Sequence, residues 1–225
     1  NSDFLLWNVR MADGDARAAP QALELALVSE GHQDREHLQT SLRRTALKYD
    51  RAGDAHYDTI SALHKSIRGS DPDAALYWLA RMVAGGDDPL FIARRLIVCA
   101  SEDCCSAEML NLATATYRAC EIVGLPECGI NLSHCVVTLA ECPKSTRSYR
   151  AWKKALSKVA SDYNYPVPLH IRNAPTRLMK ELGYSAMYRY EPSFAHPVYQ
   201  EFFPPELHGT RFLSPPPSPE SVSHV

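Results

Sequence analysis

Nearly everything up to residue 161 places its apolar residues at helical intervals. Gly14 or Asp15 can cap a helix through LELALVSE, which Gly31 ends. REHLQTSLRRTALKY predicts a second helix, marked by Leu38, Leu42 and Leu47. A third carries Tyr57, Ile60, Leu63 and Ile67 on one stripe, the spacing of an amphipathic helix. DAALYWLARMV is apolar on two sides, with Leu76, Leu79, Ala80 and Val83 on one and Trp78 and Met82 nearly opposite. That pattern predicts a helix buried between neighbours. LFIARRLIVCAS, AEMLNLATATYRACEIVG and INLSHCVVTLAEC predict three more helices, ended by Asp103, Gly124 and Pro143. STRSYRAWKKALSKVASDY adds another. Helices joined by short loops imply an all-α bundle with few strands.

The punctuation supports this division. Gly69 is expected as the left-handed residue that closes one helix, since glycine adopts that conformation without a Cβ clash. Asp71 can cap the next helix, with Pro72 at its first position and Asp73 in the positive first turn. The same device recurs at Gly85-Gly86-Asp87-Asp88-Pro89. A phosphate cradled by either turn would sit against two carboxylates, so each turn reads as a corner. From Pro166 the pattern changes: prolines 166, 168 and 175 keep the chain extended until a short helix from Pro175 to Gly183. Residues 184–213 are rich in Tyr, Phe and Pro without a period and predict an irregular layer on the bundle, pinned by aromatics. The Pro/Ser-rich tail, 214–225, is expected to be disordered.

Composition narrows the class. A chain of 225 residues with 45% hydrophobic and 22% charged residues can bury a real core. No apolar run approaches the roughly 20 residues a membrane helix needs. Seven cysteines, an odd number without a basic-then-apolar leader, point to reduced thiols inside a cell. NSDFLLWNVRMADGDAR reads as the middle of a domain, so a fragment is expected. The net charge of −2 hides an asymmetry. Residues 1–143 carry 13 Lys and Arg against 20 Asp and Glu, residues 144–190 carry 10 against 2, and residues 191–225 carry 1 against 4. One block is therefore strongly positive, the compositional hint of a polyanionic partner.

Within that block, Arg147, Arg150, Lys154 and Lys158 fall within about 80° of one another on a helix at 100° per residue. Tyr149, Trp152, Leu156, Val159 and Tyr163 occupy the other side, which is expected to pack while the cations face solvent. Lys153 adjoins the stripe, and Arg172, Arg177, Lys180 and Arg189 add charge downstream. Asn173-Ala174-Pro175 starts a helix whose N-terminus can also receive a phosphate. A row of cations suits a nucleic-acid backbone, and it equally suits an ordinary solvated face; both readings stand. Other chemistry is weaker. Cys128, His134 and Cys135 lack the paired spacing of a zinc site and read as small buried hydrophobes. Cys104 and Cys105 follow Glu102 and Asp103, whose charge would raise a thiol pKa and oppose nucleophilic use. LIVCASED, which could pass for a strand bearing metal carboxylates, continues a helix. No G-x-x-x-x-G-K-[S/T] word occurs.

Several longer words carry more. DGDARAAPQALELAL, YDRAGDAHYDTISALHKSIRGSDPDAALYWLARM, GGDDPLFIARRL, ASED, APTRLMKELGY and PPELHGTRF closely resemble the MgsA/RarA family, from about residue 5 to 213. These are clamp-loader-type AAA+ ATPases of replication-associated recombination, with the Werner-helicase-interacting proteins as eukaryotic members. The resemblance implies the C-terminal half of such a protein: a lid remnant over 1–31, an AAA-associated helical region over 32–95, the family C-terminal domain over 96–213, and the tail. It implies that Arg17 of GDAR is the sensor-2 arginine reaching the nucleotide phosphates. It implies a homotetramer, with DNA met through the full-length protein and replication or repair proteins as further partners, and no membrane. ATP and magnesium belong to the full-length family; no cofactor is expected in this chain, which should not hydrolyse ATP alone. Location would be nuclear in a eukaryote and cytoplasmic in a bacterium.

The chain departs from the family at named places. Pro20 stands where a leucine is usual inside the lid helix. CCSAEM follows ASED where the family has a glycine and an Ala-Asp-Pro helix start. Ser185-Ala186-Met187 replaces a glycine-lysine-glycine word after LGY, losing a cation and flexibility. A degenerate or truncated product would fit these departures.

Overall fold

The structure is a computed structural model that describes residues 54–190, 193 and 197–215. Readings that concern residues 1–53, Arg17 and Pro20 among them, lie outside the described residues, as does the tail from 216. The described residues form seven α-helices and no strand, the all-α architecture expected. The chain divides into two compact units after Thr146.

The first unit holds α1 (Asp54–Arg68), α2 (Pro72–Gly85), α3 (Pro89–Cys99), α4 (Ala107–Val123) and α5 (Cys128–Glu141). α5 is central: it packs on α1, α2, α3 and α4. Its Cys128, Leu132, Cys135, Val136 and Leu139 are buried, the i, i+4, i+7, i+8, i+11 stripe of one helical face. Ile92, Ala93, Leu96 and Cys99 of α3 and Leu63 and Ile67 of α1 complete the core. Each such aliphatic side chain contributes roughly 1.5–3 kcal/mol by leaving water. α2 buries Ala75, Leu79 and Met82, while Tyr77 and Ala80 are exposed. It is thus one-sided rather than buried all round, because α1 and α5 cover a single face. Tyr57, expected on the apolar stripe of α1, is also exposed.

Both corners form as their sequences require, with one correction. Asp71 accepts from the Ala74 amide at 2.9 Å, and Asp88 accepts from the Leu90 and Phe91 amides. Gly86 takes the left-handed conformation (φ 83°) that closes α2. At the first corner that role falls to Ser70 (φ 58°), not to Gly69. The Asp71 amide bonds the Ser66 carbonyl and the Ser70 amide bonds that of Ile67, the double closure of a Schellman motif. Gly69 serves by lacking bulk, since a Cβ there would lie 3.2 Å from the Lys65 carbonyl.

α3 runs into one wide π turn, Ala100–Cys104, closed by the Cys105 amide on the Ala100 carbonyl, with Cys105 left-handed (φ 49°). The Cys104 sulfur lies 3.0 Å from that of Cys142, beyond the end of α5.

The second unit contains α6 (Arg147–Ser161), a five-residue α7 (Arg177–Glu181), two short 3-10 turns and irregular chain. Thr176 caps α7 through the Met179 amide, and the helix starts at Arg177, two residues beyond the expected Pro175, and ends at Glu181, before Gly183. α6 departs from its reading. No residue of α6 is buried, and the aromatic side expected to pack is open: Trp152 is 62% exposed, Val159 77% and, just beyond the helix, Tyr163 87%. Downstream, Phe203 and Phe212 meet edge to face at 6.1 Å, yet Tyr190, Tyr199 and Phe202 are exposed, so aromatics pin the irregular segment in part.

Candidate functional site

The cationic residues singled out in the sequence divide into engaged and unengaged groups. On α6, the Arg147 guanidinium donates to the Ser214 carbonyl. Lys158 pairs with Asp162 at 3.0 Å, and Lys153 stands over the Tyr149 ring at 4.8 Å. Arg150 and Lys154, one turn apart, are exposed and have no ion pair among the described residues. Of the downstream cations, Arg172 donates to the Val167 carbonyl and lies over the Tyr184 ring, which turns it inward as a loop clamp. Arg177 pairs with Glu181 at 2.8 Å. Lys180 is exposed on α7. The structure gathers Arg147, Arg150, Lys154 and Lys158 on one helix side, but no extended packing of α6 on α7 joins the two groups. The N-terminal phosphate position near Pro175 belongs to a helix of only five residues. Arg17 lies outside the described residues.

A second constellation, in the first unit, escaped the sequence reading. It forms where α1, α3 and the π turn meet. Asp103 is 1% exposed, and the Arg68 Nε donates to its Oδ1 at 2.6 Å. Arg68 also reaches Glu102 at 3.2 Å, and Cys99 Sγ lies 3.6 Å from Asp103 Oδ2. The bond to Asp103 holds the Arg68 pKa above its ordinary value. Beside this pair lies a cavity of about 460 Å³ whose wall includes Ser61, His64, Lys65, Arg68, Arg95 and Glu102. His64 is 8% exposed and its Nε2 has no hydrogen-bond partner. Burial first, then the Arg95 charge, lowers its pKa to about 4, with Asp103 opposing, so the ring is neutral at neutral pH.

The signal for this cluster was present. Ser61, His64, Lys65 and Arg68 follow i, i+3, i+4, i+7, a polar face on a helix whose other face is core. Three of the words that carry the family resemblance, LHKSIRG, ARRL and ASED, meet here although they are far apart in sequence. The turn after Gly69 is a corner as read, and the chemistry sits on the helix flank before it.

The thiols do not form a site of the kind considered. Burial pushes Cys104 up to about 12 and Cys135 up to about 11, and raises Cys99 further. Cys128 and Cys135 are buried in the core while His134 faces outward. Among the described residues no three His, Cys, Asp or Glu side chains are gathered as a metal ion would need. No helix among them is long and apolar enough to cross a membrane.

Comparison with known proteins supplies the class of this helical region, one that belongs to AAA+ ATPases. The model described as AAA C-terminal domain matches residues 1–68, and the model described as MgsA AAA+ ATPase C terminal matches residues 69–222. Replication-associated recombination protein A of Haemophilus influenzae is 42% identical over 214 residues, covering 90% of this chain and 48% of that protein. The protein of the same name from Escherichia coli K12 is 41% identical, covering 91% and 48%. The ATPase WRNIP1 of Dictyostelium discoideum is 38% identical, covering 90% and 26%. The chain therefore belongs to the MgsA AAA+ ATPase family and corresponds to its C-terminal part. It spans about half the length of its bacterial relatives.

Proposed function

We propose that this chain is the oligomerisation and DNA-associated part of a DNA-dependent AAA+ ATPase acting in replication-associated recombination and repair. The observation that carries the reading is α6, exposed on both of its sides. Trp152, Leu156 and Val159 offer an apolar strip that a second subunit can cover, and Arg150 and Lys154 offer uncommitted charge to phosphates. An apolar strip of this kind on a charged helix suits a protein–protein contact. The family resemblance argues for a homotetramer as the assembly. Nucleotide hydrolysis belongs to an ATPase module with its own phosphate loop and metal carboxylates, to which this chain would contribute Arg17. The reading sets the protein where chromosomes are copied, the nucleus of a eukaryote or the cytoplasm of a bacterium, together with other replication and repair proteins.

A scaffold without DNA contact is the second reading. It is favoured by the cations that are already engaged, Arg147, Lys158 and Arg177. Binding to single-stranded and forked DNA across salt concentrations separates the two. If the α6 stripe meets DNA, affinity falls steeply with salt. The Arg150→Glu, Lys154→Glu double variant then weakens binding and reduces the slope of log K against log salt by about 1.5. A slope unaltered by both reversals leaves the scaffold reading. Light scattering of Val159→Asp, which places a charge on the apolar strip, tests the assembly role: a shift to smaller species is expected.

A further inference from the structure

The cavity beside α1 and α3 has a wall chemistry that the α6 reading does not use. Ser61, Lys65 and Arg95 present hydrogen-bond donors to it, and the buried ring of His64 borders the same space. Glu102, the carboxylate in the wall, is engaged by Arg68, whose other partner is Asp103. Lys65 and Arg95 have no ion pair among the described residues. Donors in excess, with two uncommitted cations, call for a ligand rich in acceptors and negatively charged. Donors from two helices, Ser61 and Lys65 on α1 and Arg95 on α3, suit the several oxygens of a phosphate better than the two of a carboxylate. The volume, about 460 Å³, exceeds a bare oxyanion and falls in the range of small-molecule sites, and the Tyr57 and Phe91 rings border the same space. His64 supplies the independent sign of a missing contact. Its nitrogen is buried without a partner, an arrangement that costs free energy until something meets it. The objection to a phosphate at the RGSD corner does not extend here. Asp71 and Asp73 do not line this cavity, and Glu102, which does, is held by Arg68.

We propose that this cavity binds a phosphate group, held by Lys65 and Arg95 with Ser61 and His64 as neutral partners, and carried either by a free nucleotide or by a DNA strand. The site is independent of the α6 stripe and does not require it.

The test uses the whole chain, with thymidine monophosphate and a short oligothymidylate as probes in titration calorimetry at low salt. Wild type, Lys65→Gln with Arg95→Gln, and Arg150→Glu with Lys154→Glu are compared after circular dichroism has established equal helicity. Both replaced cavity residues lie at or near the surface, so the fold should hold; Arg95→Lys, which keeps the charge, should restore part of the binding. Removing two charge-assisted contacts should weaken the phosphate ligand about tenfold or more. Loss for both probes assigns the site to a free nucleotide, and loss for the oligomer alone assigns it to a strand. The α6 variant should leave monophosphate binding unchanged. Unaltered affinity for both probes in the folded cavity variant overturns the proposal. So does an absence of binding to wild type, or tighter Arg95-dependent binding of an acidic peptide.

Discussion

Among the described residues, four that are not glycine hold positive φ: Ser70, Cys105, Ser185 and Met187. For an L-residue the left-handed region costs roughly 1–2 kcal/mol, because Cβ crowds the backbone. Ser185 (φ 60°) and Met187 (φ 63°) occupy the two places where the family resemblance has glycines. At both places the backbone takes the left-handed conformation that glycine adopts without strain. Met187 is 94% exposed, so its side chain gives up little when removed. Ser185→Gly and Met187→Gly should each stabilise the protein by about 0.5–1 kcal/mol, the relieved strain exceeding the added freedom of the unfolded chain. A higher urea midpoint at unchanged slope is the expected result, and an unmoved or lowered midpoint for both counts against it. Such positions are half-legible in a sequence. Substitution for glycine marks where strain arises, but at Gly69-Ser70 composition pointed to the wrong member. Only the 3.2 Å approach of the Lys65 carbonyl shows why the glycine must come first.

At the scale of elements, local signals and distant ones part company. Caps were readable because they are short-range chemistry: Asp71 and Asp88 sit within three residues of the amides they satisfy. The periodicity of α6 was readable too, but which side is covered depends on neighbours that no local pattern records. The junction of α1 with the π turn was missed for the same reason, since Arg68 and Asp103 are 35 residues apart. That junction has unequal ends, because Asp103 is buried while Arg68 reaches solvent. Arg68→Ala leaves a buried carboxylate without its partner and should cost about 3 kcal/mol. Asp103→Asn keeps the shape and leaves an arginine that water can solvate, so its cost should be nearer 1 kcal/mol. Chemical unfolding of the two variants measures the asymmetry. Equal losses would mean that Asp103 is not anchored mainly by Arg68.

For the whole molecule, the all-α class followed from periodicity, and the reach of the family resemblance was plain from its long words. The division after Thr146 falls close to the charge break at residue 144, but the helical periodicity runs on through it, so charge alone marked the place. Nor did any pattern announce the sulfurs of Cys104 and Cys142, which come from separate helical segments and stop 3.0 Å apart. Their proximity matters for how the protein ages in a tube. Peroxide formed in an aerated buffer can oxidise one sulfur, and its neighbour can then displace water to close a covalent ring across 38 residues. Such a ring restricts the unfolded chain by an amount worth about 4 kcal/mol. Old, unreduced stock should therefore contain a second species that melts later and runs faster on a gel without thiol, its joined peptides separating once reductant is added. Cys142→Ser should stay a single species throughout, and two preparations of the natural chain will agree only if their histories with air agree.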